Sequence, residues 1–426
     1  MTPLRERHMT KVIAHTIFAP GHTYPFLSIL TELQRRGCAV KLCVDTPATS
    51  VPSKMGGVPV RRMRGATFES IPTRQRRKEA ERVWLANLAR SGQPTADTLE
   101  QLVVCERPDF LLIDPMLWGS MIAAEASGLP WASLAHNPLT LRGRGLDIRG
   151  PGLRPARGPV GWLRDRIVDL GLRASMFRPL GMVNALRAKR GLEPFADFRD
   201  RYLAAPLIIA ATVEPFEYPR DDWPPSLVFV GPLTWEPEAH EPIWLRRLDE
   251  RPLLLLAGST VPEYKTAGKW VSVVFEAFAN EPVHVVATLP TDEVPKNVPH
   301  NFFITPFLSH RDLLPRAACV ICHGGYGITT KALAAGVPVV AIPLALDRFE
   351  VARRVEVAGA GVMLLERQLT PARLKTAVRT AIARRAGAEQ VAEMFRRCGG
   401  ARAAVDAIES QLRTTGARTV PSRELA

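Results

Sequence analysis

The sequence predicts an α/β protein of two similar halves, each a parallel sheet wrapped by helices, with a ligand cleft between them. Three observations carry this. At 426 residues the chain is too long for one ordinary core and comfortable for two domains of about 200 residues each. Short β-rich runs alternate with helical apolar stripes in both halves. Each half also opens with a strand running into a glycine turn, the arrangement that places ligands at the carboxyl edge of a parallel sheet.

Val12 to Phe18 reads as the first strand, broken at Pro20–Gly21. Phe26, Ile29, Leu30 and Leu33 then recur at i, i+3, i+4 and i+7, one apolar face of a helix, with Gly37 suited to its C′ position. Ala39 to Val44 is the next strand, and a right-handed crossover makes the pair parallel. The pattern returns with a strand at Pro108 to Asp114, a helix from about Gly119 to Ser127, and a strand at Pro130 to Ala135. Ala205 to Thr212 reads as the last strand of this half. Between Leu141 and Leu192 the signal changes: "RGPGLRPARGPVGW" reads as loop and "LRDRIVDLGLRASMF" as helix. Such an insertion either shapes a pocket or lid, or simply faces solvent.

The proline-rich run from Tyr218 to Pro242 reads as the domain connection. A second α/β series follows in "PLLLLAGST", "VHVVATL", "NFFITPF", "ACVICHGG", "VPVVAIP" and "AGVML". Helical stretches run from Pro371 to about Arg413, with Thr370 as the N-cap. The expected division is 9–217 for the first domain, 218–242 for the linker, 243–395 for the second domain, 396–415 for a final helix and 416–426 for a frayed tail.

Composition narrows the function. No apolar run reaches the roughly 18 residues of a membrane span. "MTPLRERHMTK" leads into a short apolar run without a small-residue cleavage site, so the expected location is cytoplasmic. The six cysteines are then expected to be reduced. "CVICH" matches a haem-attachment spacing but lies in a strand-like run, where buried strand is the better reading. The net charge of +14 comes mostly from arginines spread among glycine, proline and apolar residues. With no zinc-finger spacing or RNA-binding aromatic signature, it reads as a solvated basic surface suited to an acidic small ligand, not to nucleic acid.

The chemistry concentrates in "HGGYGITTKALAAGVPVVAIPLALDRFEVARRV", His323 to Val355. His323 ends a strand, and Gly324, Gly325 and Gly327 allow a close-approaching turn into a helix expected near Ile328. Its free N–H groups and positive dipole end suit a diphosphate, to which His323 can add a hydrogen bond. "AGST", Ala257 to Thr260, gives a second glycine-hydroxyl turn at the same sheet edge. In the first half, His22 follows the first strand, and Asp114 ends "FLLID" at the same edge. An imidazole near neutrality can take a proton, and a carboxylate can hold its ring and charge. The plainer alternative is that both residues only cap local structure. His15 reads as a core histidine; His136, Met116 and Trp118 either line an acceptor pocket or pack.

The His323–Val355 run resembles the donor-binding signature of the GT-B glycosyltransferases of family 1, especially bacterial natural-product enzymes of the antibiotic, macrolide and enediyne type. "GPLTWEP", "AGST" and "PFLSHRDLLPRA" agree in the family's order, so the resemblance covers nearly the whole chain. It implies two Rossmann-like domains facing a cleft, with a C-terminal helix crossing back to the first. It further implies His22 and Asp114 as the catalytic pair. Gly258, Ser259, Thr260, Phe307, Leu308, His323, Gly324, Gly325, Gly327, Ile328, Thr329, Asp347 and Arg348 then fall at the donor site.

This sequence departs from the pattern at five places. Ile328 replaces a hydroxyl residue, Lys331 a ribose-binding glutamate, Arg348 a glutamine, Glu350 an asparagine and Phe307 a tryptophan. A missing ribose carboxylate leans toward a TDP-sugar over a UDP-sugar. Lys331 either reaches a phosphate or points to solvent, and Arg348 with Glu350 suggests a sugar of unusual polarity. The expected reaction is metal-free, inverting transfer from a nucleotide-sugar co-substrate to a hydroxyl of a hydrophobic small molecule, with no further cofactor. A homodimer stays open. The rival readings are a lipid glycosyltransferase at a membrane surface, a sugar-nucleotide epimerase, and a catalytically altered partner protein.

Overall fold

The computed structural model describes residues 9–46, 48, 51–63, 77–139, 152–239, 242–258, 267–289, 297–344 and 347–416. The first half holds strands β1 (Lys11–Ile17), β2 (Ala39–Asp45), β3 (Lys54–Met55), β4 (Val58–Met63), β5 (Phe110–Ile113), β6 (Trp131–Ala135), β7 (Leu207–Ala210) and β8 (Leu227–Phe229). They form one sheet in the order β3-β4-β2-β1-β5-β6-β7-β8, parallel except for the short β3–β4 edge pair. Around it lie α1 (Pro20–Arg35), α2 (Arg77–Glu106), α3 (Trp118–Ser127), α4 (Gly158–Ser175) and α5 (Phe177–Ala188).

The second half holds β9 (Leu253–Ala257), β10 (His284–Thr288), β11 (Phe302–Thr305), β12 (Ala317–Cys322), β13 (Val339–Ala341) and β14 (Gly361–Met363). Their order is β11-β10-β9-β12-β13-β14, all parallel. The helices are α6 (Ala267–Phe278), α7 (His310–Leu313), α8 (Tyr326–Ala334), α9 (Arg348–Val357), α10 (Pro371–Ala383), α11 (Arg385–Arg397) and α12 (Gly400–Gly416).

Sheets covered on both faces demand strands apolar on both faces. "LLLLA" of β9 and "FLLI" of β5 are buried throughout. α1 answers with Phe26, Leu27, Ile29, Leu30 and Leu33, all fully buried against the first sheet. Each such side chain contributes about 2 kcal/mol, so Leu30→Ala costs about 2–5 kcal/mol. Gly37 ends α1 at φ +86°, its N–H donating to Gln34 while the Cys38 N–H donates to Leu33. That is the paired closure only a left-handed C′ residue makes easily. Thr370 caps α10 as expected, its hydroxyl accepting the Arg373 N–H.

Three expectations shift. Ala205–Thr212 is not the last strand of its half: β8, inside the proline-rich connection, extends the first sheet. Pro20 at the first helical turn starts α1 there, because proline's fixed φ suits that position. α4 begins at Gly158–Pro159 for the same reason, inside the run read as loop.

α12 crosses back to the first half. Ala404, Val405 and Ile408 enter the core beneath α1, and Arg36 reaches Asp406 at 2.6 Å and Glu409 at 3.2 Å. The halves are also joined by buried polar groups. Arg354 of α9 meets Glu217 and Glu350, and the Tyr326 hydroxyl donates to the Ala211 carbonyl at 2.9 Å. The second half's core takes in Phe216, which packs edge-on to Phe395. Among the described residues no helix is long and apolar enough to cross a membrane.

Candidate active site

β1 and β5 are neighbours, with His15 in register with Ile113, so the segments leaving them emerge side by side at the carboxyl edge. One carries His22 in the first turn of α1; the other carries Asp114. His22 Nδ1 lies 2.8 Å from Asp114 Oδ2. The carboxylate is fully buried and fixed: Thr16 Oγ1–H donates to Oδ2 at 2.6 Å, and the Met116 N–H to Oδ1 at 2.9 Å. Asp114 therefore braces its own turn rather than capping α3, whose N-cap is Leu117.

A third side chain joins them. β6 flanks β5, and His136 at its end puts Nε2 at 3.0 Å from the same His22 Nδ1. The rings are edge to face at 4.4 Å. His136 Nδ1 faces the Leu134 carbonyl at 3.1 Å, which can only accept, so that nitrogen carries the proton and Nε2 a lone pair. His22 Nδ1 thus sits between two acceptors and must carry a proton itself. Among the described residues, the nitrogen left for an outside group is Nε2, with a free lone pair, on a side chain 22% exposed.

The charges agree. Burial depresses the His22 pKa, but the Asp114 carboxylate overrides this by charge and hydrogen bond, and Asp347 adds to the rise, so the net value lies above 6.5. Burial opposes ionisation of Asp114 too, yet His22, His136 and the Thr16 hydroxyl hold its pKa well below the usual carboxylate range. His136 is pushed down to about 4, chiefly by burial, and stays neutral. The three ligating atoms lie within 4.8 Å of one another. Their 2.8 and 3.0 Å separations are hydrogen-bond lengths, shorter than the roughly 3.3 Å between ligands of a tetrahedral metal ion.

In the second half, β12 lies between β9 and β13, and His323 leaves its carboxyl end. Gly324 has φ +80°, and a Cβ there would come 3.1 Å from the Arg348 carbonyl, so both conformation and space require glycine. A Cβ on Gly325 would strike the His323 ring at 2.5 Å. α8 starts at Tyr326, not near Ile328, because Gly325 takes the N-cap position. The amides of Tyr326, Gly327 and Ile328 fall in the first turn, where a helix offers no acceptor, and Gly327 is exposed with open space about it. Buried His323 has a pKa lowered to about 3, by burial and then by the nearby Arg348 charge. It is neutral, and its Nδ1 has no partner among the described residues.

The other expected donor residues separate into two groups. Gly258 follows β9 beside this turn, its N–H donating to Thr288 at 3.1 Å, and Phe307 is 48% exposed. Asp347 precedes α9, half-buried and within electrostatic reach of His22 in the other half, with its pKa raised by burial. Arg348 is buried close to His323. Leu308 and Thr329, by contrast, are buried, and Ile328 packs partly against the same core, so Ile328 and Thr329 can offer only backbone. Ser259 and Thr260 lie outside the described residues.

Several expectations are corrected by packing. Trp118 is core: a Cβ on Gly92 of α2 would meet its ring at 2.1 Å, so the two helices close over it. His136 stands behind His22 instead of lining a pocket, while Met116 stays half-buried beside the pair. Glu350 is fully buried, accepting the Gly152 N–H at 3.1 Å and pairing with Arg354, so it is structural. Lys331 does not simply point to solvent: its ammonium lies 2.6 Å from Glu236. Glu236 escaped the sequence reading, although "GPLTWEP" contains it.

Comparison with known proteins agrees with this fold. Residues 272–399 match the family described as erythromycin biosynthesis protein CIII-like, C-terminal domain. The chain is 28% identical over 396 residues to 4'-demethylrebeccamycin synthase of Lentzea aerocolonigenes, covering 87% of this chain and 91% of that protein. Its fold matches the glycotransferase of kitacinnamycin with a TM-score of 0.73 at 20% identity, over 95% of this chain and 99% of that one. It also matches glycosyltransferase VinC in complex with DTDP with a TM-score of 0.68 at 20% identity, over 95% and 100% of the two chains. Fold, domain match and relatives together show a GT-B fold and a likeness to the bacterial natural-product glycosyltransferases.

Proposed function

We propose that the protein transfers a sugar from a thymidine diphosphate donor to a hydroxyl of a hydrophobic small molecule, with inversion at the anomeric carbon. The observation that carries this reading is His22. One ring nitrogen is locked by Asp114 and His136, the other is left as a base, and Asp347 of the opposite half is within electrostatic reach.

The acceptor O–H proton passes to His22 Nε2 as its oxygen forms the new bond to the anomeric carbon. The bond from that carbon to the diphosphate breaks, and its electron pair leaves with the phosphate oxygen. Asp114 stabilises the imidazolium that forms. On the other side, the first-turn amides of α8, neutral His323 and the Arg348 guanidinium take up the charge growing on the diphosphate. Asp347 then accepts from sugar hydroxyls. Attack from the His22 side, opposite the leaving group, gives inversion.

Thymidine is favoured because the ribose-binding carboxylate is absent at position 331 and Glu236 is already engaged by Lys331, Ser309 and the Arg311 N–H. The VinC structure with DTDP supports the same choice. Calorimetric titration of TDP and UDP tests it, with transfer assayed in parallel. TDP binds tighter to both wild type and His22→Ala, while transfer disappears in the variant. Tighter UDP binding defeats the donor assignment, and full transfer by His22→Ala removes the base.

A further inference from the structure

α4 turns its apolar side toward water. Val160, Leu163, Ile167 and Leu170 recur at three- and four-residue spacing along one face, and each is between 60% and 83% exposed. Trp162 on the flank and Phe177 at the start of α5 add exposed aromatic surface. The helix is held by its other side, where Arg164 donates to the Arg154 carbonyl at 2.8 Å and Val168 and Leu172 are half-buried. A surface helix ordinarily has the opposite polarity. An apolar stripe of this length facing solvent marks a contact surface.

Charge identifies what covers it. The two aspartates of α4 are already neutralised: Asp165 by Arg164 at 2.6 Å, and Asp169 by Arg173 at 2.8 Å and Arg199 at 2.6 Å. Arg157, Arg166 and Arg178 are exposed and carry no ion pair among the described residues. A second copy of this helix would set that cationic rim against itself. Nucleic acid would satisfy the guanidiniums but leave the aliphatic stripe wet. An anionic bilayer satisfies both, taking the stripe into the headgroup boundary and the arginines onto lipid phosphates.

We propose that α4 and the start of α5 form a peripheral docking surface for membranes rich in anionic lipid. The surface is independent of which sugar the protein moves, and it lies in the half that carries His22.

Co-sedimentation of the full chain tests this, with vesicles of phosphatidylcholine alone and of phosphatidylcholine mixed equally with phosphatidylglycerol. The protein should pellet with the mixed vesicles only, and less as salt rises. Leu163→Glu/Ile167→Glu should abolish pelleting, and Arg166→Gln should weaken partitioning about fivefold. Melting temperatures should match wild type, since all three side chains are outside the core. Failure of the wild type to pellet with anionic vesicles overturns the proposal, as does undiminished pelleting of the double glutamate variant. A wild-type dimer that this variant splits, without vesicle binding, assigns the stripe to a second copy and equally overturns it.

Discussion

His136 Nε2 and Asp114 Oδ2 both face one nitrogen of His22, at 3.0 and 2.8 Å. Asp114 supplies charge; neutral His136 supplies only a lone pair and a ring edge. It is a positioning residue that keeps the His22 proton on Nδ1 and steadies the ring. His136→Leu leaves the Asp114 bond in place and removes one hydrogen bond, so kcat should fall about tenfold, with donor KM unchanged. Steady-state rates at saturating donor decide this, and an unchanged kcat would leave His136 as packing alone.

The acid limb of the rate profile should report His22. Only the neutral imidazole can accept a proton, and its pKa lies above 6.5 because Asp114 overcomes burial. In wild type, kcat/KM should therefore drop as pH falls through a value above 6.5. Asp114→Asn removes the charge that raises the pKa but leaves the burial that lowers it. The limb should then move to lower pH, while the plateau falls about a hundredfold or more. An unmoved limb would mean that another group titrates.

Much of this site was legible because a parallel sheet is a sorting device. Residues that end successive strands share one edge, so His22, Asp114 and His136 could be placed at the edge of the first sheet, and His323 at that of the second, from strand boundaries. What could not be read was depth. Nothing in the spacing of Trp118 shows that Gly92 lets α2 and α3 close over it. Nor does "VGWLRDRIVDLGL" reveal its facing: an apolar stripe looks the same whether it meets a core or water. Tertiary ion pairs were the least visible, since Lys331 and Glu236 are 95 positions apart and only the folded chain joins them.

That pair makes a third prediction. Burial pushes the Glu236 pKa up, but Lys331, then the Ser309 hydroxyl and His310, bring it below its ordinary value. Lys331→Met strands a largely buried carboxylate and should cost about 3 kcal/mol of unfolding free energy. Adding Glu236→Gln removes the stranded charge and should recover part of that loss. Urea unfolding of wild type, both single variants and the double variant measures the coupling; strictly additive losses would show that the contact is not energetically real.

The histidines set a fourth, pH-dependent prediction. His136 and His310 are held down to about 4 and His323 to about 3, burial being the largest cause in each. All three lie below the unfolded value of about 6.5. Between those limits the unfolded chain binds protons that the native state refuses, so stability is full above about pH 6.5 and is lost as pH falls toward 4. At pH 5 the loss should be about 2 kcal/mol for each histidine. His22 acts in the opposite sense, since its raised pKa favours the native state on the acid side, but it is one group against three. Unfolding free energies at pH 7 and pH 5 should therefore differ by several kcal/mol, and His323→Gln, which cannot titrate, should reduce that difference by one histidine's share. A variant with the wild-type pH slope would show that His323 is protonated in the native protein, and with it that the glycine turn after β12 carries one more positive charge than this geometry allows.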